Sequence, residues 1–178
     1  MGILLQWGAK KGEFMSSSRP LSGLDLKPWI RRVDQEGNRE YGRRVELSQE
    51  IIRVWRNKEK TLDLARKLGE QRITELPEAI GRLTFLKILD VGDNDHLATL
   101  PPLGNLTNLT FLRLSGNSFT LQALLPLVQL PRSCVIYAHQ NPTLSLKDLT
   151  EICQAVQKVR KVNPKIGPTF YPVNDSLP

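Results

Sequence analysis

Apolar residues recur along this chain on two scales, a short alternation nested in a long period. Leu89-x-Val91 and Leu112-x-Leu114 place apolar side chains two residues apart, the spacing of a strand with one buried face. Leu89, Val91 and Asn94 return as Leu112, Leu114 and Asn117, each pair 23 residues apart. Both blocks read L-x-x-L-x-L-x-x-N, starting at Leu86 and at Leu109, and Leu100 has a looser counterpart in Leu124. A unit this short cannot bury its own apolar side, so it becomes stable only against neighbouring copies.

The motif is that of a leucine-rich repeat. The expected fold class is therefore α/β: a short solenoid of about three to four repeats, with a parallel sheet on its concave face and a helical cap at each end. An early repeat starts at Leu62-Asp63-Leu64 and is lengthened by Lys67 to Arg72 before the pattern resumes at Ile73, Leu76 and Pro77. A degenerate last copy runs from Cys134 to Pro142, and counting back from Asn141 puts Ile136 and Ala138 in its inward positions. The repeats thus occupy residues 61–142. Asn94, Asn117 and Asn141 are expected to form a buried ladder, since a side-chain amide can serve the main-chain groups that a sharp turn leaves unpaired. Leu76-Pro77 and Leu100-Pro101-Pro102 punctuate the stretches between, where proline fits a position that donates no hydrogen bond.

The flanks follow other rules. Residues 1–44 show no sustained periodicity, and their first 20 or so read as a flexible, basic segment whose true start is Met1 or Met15. From 45 to 60 the spacing turns helical, with Ser48 as a possible cap, Ile51 and Ile52 on one face and Trp55 as the anchor of an N-terminal cap. At 143–163 a capping-box-like Ser145-Leu146-Lys147-Asp148 opens a second helix. Its apolar face is Leu146, Leu149, Ile152, Cys153, Val156 and Val159, with Cys153 as a small buried group. Residues 164–178 are a proline-rich tail that packs, if at all, through Phe170 and Tyr171.

Function must then reside in the outward strand positions. These are Asp63, Ala65 and Arg66; Lys87, Ile88, Asp90 and Asp93; Thr110, Phe111, Arg113 and Ser115; and Tyr137, His139 and Gln140. Asp90, Arg113 and Tyr137 fall in one column. The candidate partner-binding set is Lys87, Asp90, Phe111, Arg113, Tyr137 and His139, a mixed acid, base and aromatic surface suited to a folded protein. Asp90 and Arg113 either serve a partner or merely pair with each other across neighbouring strands, and Phe111 either joins that surface or leans into the core.

Composition narrows this only a little. The 178 residues suffice for one domain, and the formal net charge is +7. Such a surplus suits nucleic acid or an anionic surface, but no recognition motif or aromatic stacking set accompanies it, so direct nucleic-acid binding is not expected. Cys134 and Cys153 have neither zinc-site spacing nor the density of a disulfide scaffold, which favours a reducing, cytosolic-type compartment. No run approaches the length of a membrane helix, and no metal site or cofactor loop can be spelled. His96 and His139 lack a nucleophile motif nearby, so no catalytic residues and no enzyme activity are expected.

Leu76-Pro77-Glu78-Ala79-Ile80-Gly81-Arg82-Leu83-Thr84 and the repeats after it resemble the repeats of bacterial effectors delivered into host cells. Leu130 to Tyr137, leading through Asn141-Pro142 into a helix, is similar to the terminal repeat of the invasion plasmid antigen H and Salmonella secreted effector families. The Trp55 helix entering Leu62-Asp63-Leu64 resembles their N-terminal cap. The likeness covers about residues 45–162. Members of those families carry a C-terminal ubiquitin-ligase domain with a Cys-x-Asp motif. Neither Cys134, followed by Val135 and Ile136, nor Cys153, followed by Gln154 and Ala155, matches it. The resemblance implies a recognition module without the ligase: a virulence effector secreted by a specialised system that binds a host protein. An intracellular scaffold, or a recognition module serving a ubiquitin ligase in trans, are the alternatives.

Overall fold

The computed structural model describes residues 24, 26–31, 39–65 and 74–171. Helices α1 (Lys27–Arg31) and α2 (Arg39–Asn57) precede strand β1 (Thr61–Asp63). Strands β2 (Ile88–Asp90) and β3 (Phe111–Arg113), helix α3 (Leu121–Leu124), strand β4 (Val135–Tyr137), helix α4 (Leu146–Val162) and strand β5 (Thr169–Tyr171) follow. The five strands form one parallel sheet in sequence order, so the fold is α/β.

Each strand is three residues long, and its middle residue points inward. Leu62, Leu89, Leu112, Ile136 and Phe170 are register partners across the whole sheet. The first four are fully buried, and Phe170, in the last strand, is half-buried. Two residues further on, Leu64, Val91, Leu114 and Ala138 form a second buried line. Each such leucine contributes about 1.5 to 3 kcal/mol on burial, opposed by the entropy of ordering the chain. Behind the sheet run the 3-10 turn Glu78–Arg82, helix α3 with the 3-10 turn Leu125–Gln129, and α4. Gly81 is obligatory in the first of these, because a Cβ there would overlap the carbonyl oxygen of Pro102.

Where β2, β3 and β4 end, an asparagine closes the turn. The Asn117 amide donates to the carbonyls of Val91 (3.0 Å), Leu114 (2.8 Å) and Ser115 (3.2 Å), while its oxygen accepts from the Asn94 main chain (3.2 Å). Asn94 donates in the same way to Leu64, Val91 and Gly92, and Asn141 to Leu114, Ala138 and His139. All three are buried. The residue before each, Asp93, Gly116 or Gln140, has φ of 55°, 68° or 54°. This left-handed geometry swings the asparagine inward, and a non-glycine residue adopts it only against a steric cost.

The flanks differ from the expectations. The helix expected at 45–60 begins at Arg39, so Ser48 lies in mid-helix, buried, with its hydroxyl donating to the Val45 carbonyl instead of capping. Val45, Leu47, Ile51 and Val54 carry its core contacts, while Trp55 is half-buried beneath the Lys58 ammonium. Part of the segment 1–44 is ordered: Leu24, Leu26, Trp29 and Ile30 are buried core residues. Arg44 is buried too. Its guanidinium lies over the Trp29 ring, donates to the Trp29 carbonyl and reaches Glu75 at 3.4 Å, tying α1 to α2.

At the other end the tail is not merely a tail, since residues 169–171 form β5. Arg160 holds them, donating to the carbonyls of Gly167 and Pro168. In α4 the buried positions are Ile152 and Val156; Cys153 is only half-buried and Leu146 is 69% exposed. The expected flexible start and the insertion from Lys67 to Arg72 lie outside the described residues.

Two predictions follow from these contacts. Asn117→Ala removes the three bonds this amide donates and the one its oxygen accepts from the Asn94 main chain, all in a buried turn, and should cost about 1 to 3 kcal/mol in urea unfolding. At α4, Ser145 and Asp148 form a reciprocal capping box, and Ser145 holds the Asp148 carboxyl below its ordinary value through side-chain and main-chain hydrogen bonds. A carboxyl lowered by folding adds stability that is present above its unfolded value and lost as pH falls through the folded one. Melting curves collected down the acid range should therefore converge for wild type and Asp148→Asn at low pH and separate above it.

Candidate functional site

The strand residues flanking the buried middle position point to the open side of the sheet, and the register arranges them in two rows. Thr61, Ile88, Phe111, Val135 and Thr169 make the first; Asp63, Asp90, Arg113, Tyr137 and Tyr171 make the second. Asp90, Arg113 and Tyr137 are direct neighbours on adjacent strands. No element among the described residues packs over this face. Ile88 is 37% and Tyr171 45% exposed.

Charge gathers on the early strands. Arg113 reaches Asp93 at 2.9 Å and Asp90 at 3.6 Å, and Asp90 also accepts from the Gly92 main chain at 2.9 Å. The guanidinium lies flat along the backbone, where a Cβ on Gly92 would come within 2.9 Å of it. Glycine at 92 is what lets the arginine lie there. The cross-strand pair expected as one alternative thus exists, but its groups stay partly exposed, so the pair itself stabilises little. Lys87 is exposed at the start of β2, with Lys60 exposed before β1.

Aromatic rings gather on the late strands. Phe111 and Tyr137 have ring centroids 5.4 Å apart, Tyr137 and Tyr171 stack at 5.3 Å, and His139 meets the Tyr137 ring edge-on at 6.5 Å. Phe111 therefore joins the surface instead of the core. Of the six candidate binding residues, Asp90, Phe111, Arg113 and Tyr137 lie on this side of the sheet, His139 meets the Tyr137 ring, and Lys87 is exposed just before β2. Tyr171 was missed, because a three-residue strand bounded by Pro168 and Pro172 carries no leucine and no asparagine to betray it.

Several outward assignments need correction. Ser115 is fully buried, its hydroxyl 3.0 Å from Nδ1 of His139. The turn after β3 has by then carried the chain inward, so strand alternation no longer applies. Asp93 is partly exposed against Arg113 and Gln140 is exposed, yet their positive φ makes them turn residues first. Arg66 lies outside the described residues. His96 is exposed.

The Ser115–His139 pair has the residue types of a hydrolytic dyad, but a fully buried hydroxyl meets no substrate in this arrangement. Among the described residues no three His, Cys, Asp or Glu side chains are grouped to hold a metal ion, and no helix is long and apolar enough to cross a membrane. No family model matches the chain, and no curated protein matches it.

Burial pushes the Cys134 thiol up to about 12, whereas Cys153 is partly accessible on α4. The thiolate is the reactive form, so alkylation at neutral pH should modify Cys153 well before Cys134, and mass spectrometry should find Cys134 labelled only after denaturation.

Proposed function

We propose that the chain is a short leucine-rich-repeat solenoid, non-catalytic, that binds a protein partner through the open face of its sheet. The parallel strand order, the 23-residue spacing between register partners such as Leu89 and Leu112, and the buried asparagines support the repeat reading. The observation that carries the binding reading is the run of Phe111, Tyr137 and Tyr171 beside Ile88 and Arg113, uncovered among the described residues. Apolar and aromatic groups at the centre with charges at the margin is the composition of a protein interface, and Tyr and Arg are the residues that most often dominate its energy.

The role as a secreted bacterial effector rests on the sequence resemblance alone. Residues 1–44 fused to a reporter test it: retention of the reporter inside the producing cell removes that role and leaves the scaffold reading.

Affinity capture comparing wild type with the triple variant Asp90→Ala, Arg113→Ala, Tyr137→Ala tests the face. A partner held by wild type and by Leu146→Ala, and weakened at least tenfold by a folded triple variant, supports the proposal. A partner held equally by all three overturns it.

A further inference from the structure

The open face has a direction as well as a composition. Ile88 on β2, Phe111 on β3, Tyr137 on β4 and Tyr171 on β5 form one oblique apolar strip, a single residue from each of four successive strands. Lys87 is exposed where β2 begins, next to Ile88 in the chain. Asp90 and Asp93, holding Arg113 between them, border it where the early strands end.

The spacing of the strip selects among partner shapes. Its rings are 5.4 and 5.3 Å apart. An α-helix advances about 5.4 Å per turn, so a helix laid across the strands presents one side chain per ring. An extended segment repeats same-side residues at about 6.7 Å, and a polyproline helix repeats at about 9 Å; both fall out of step within two rings. Strand addition at the β5 edge is also poorly served, because Pro168 has no N–H and its carbonyl is already taken by Arg160 at 3.0 Å.

We infer that the strip docks one amphipathic helix of the partner, about three turns long, with apolar residues at i, i+4, i+7 and i+11. Acidic side chains on one edge of that helix face Lys87, and basic ones on the other face Asp90 and Asp93. The inference rests on the proposed binding face and adds the shape and charge order of what binds there.

Two peptide libraries displayed on phage and panned against the full chain test it. One consists of helix-forming sequences of about four to five turns, randomised on one side. The other consists of linear Gly-, Ser- and Pro-rich sequences that form no helix. The expected result is enrichment of helical clones with the stated apolar spacing. Binding of the resynthesised peptide should fall about tenfold or more on Tyr171→Ala and on Ile88→Ser, variants whose unfolding midpoints are checked, and should be unchanged on Leu146→Ala. Lys87→Glu should also weaken it, and a peptide with Lys in place of the facing acid should restore it. Strip-dependent binders arising only from the linear library would overturn the helix inference and leave the binding face standing. Binders from neither library that respond to the strip variants would overturn both.

Discussion

Everything displayed by this sheet depends on how its short strands are ended. A three-residue strand has few main-chain hydrogen bonds to its neighbours, and the chain must then leave the sheet at once. The amides of Asn94, Asn117 and Asn141 make that exit stable by gathering carbonyls from two consecutive turns of chain, such as Val91 together with Leu114 and Ser115 for Asn117. Buried carbonyls left without donors would each cost on the order of 1 to 3 kcal/mol, a large fraction of a domain's net stability. Because each asparagine bonds to the turn before its own, it also fixes the register between them. That register sets Tyr137 beside Arg113, whereas the Arg160 bonds that hold β5 set Tyr171 on its other side.

The same constraint divides the outward residues into those the scaffold uses and those it leaves free to vary. Asp93 and Gln140 occupy the left-handed position that swings the following asparagine inward, and Ser115 is drawn beneath the surface with its hydroxyl on His139. Gly92 must stay small so that Arg113 can lie between Asp90 and Asp93. Ile88, Phe111, Tyr137 and Tyr171 bear no such turn geometry. A similar division applies to charge. Arg44 counts toward the net +7, yet it is buried against Trp29 and Glu75, so part of the basic surplus holds helices together and is not offered to any partner.

The parts of the fold legible in sequence are those that repeat or obey a local rule. Leu89 and Leu112 announce paired strands because the same spacing recurs with Asn94 and Asn117, and Ser145 with Asp148 announces a helix start from four residues alone. The parts missed lack both aids. Strand β5 has Phe170 where earlier strands have leucine or isoleucine, and its place beside β4 follows from the Arg160 bonds, which no spacing reveals. The early onset of α2 escaped because Arg39 to Arg44 shows no apolar periodicity before Val45. Trp29 and Ile30 are core residues inside an arginine-rich stretch, where composition pointed to solvent. For the face, alternation located Asp90, Arg113 and Tyr137 but failed at Ser115, one step past the end of the strand.

Arg113 is conspicuous in this face, yet its energetic part in binding differs from that of a free surface arginine. Two carboxylates already compensate its charge, so a partner's acid would have to compete with Asp93 at 2.9 Å for the same donors. Its value is positional: the clamp fills the space between the early and late strands and leaves a net carboxylate at the margin. The rings have no comparable internal competitor. Covering Tyr171 and the edges of Phe111 and Tyr137 removes apolar surface from water at about 25 cal/mol per Å², with no ion pair to break first. Affinity should therefore come from the apolar strip and charge order from its margin on β2 and β3. A partner is held along the strip and oriented at its edge.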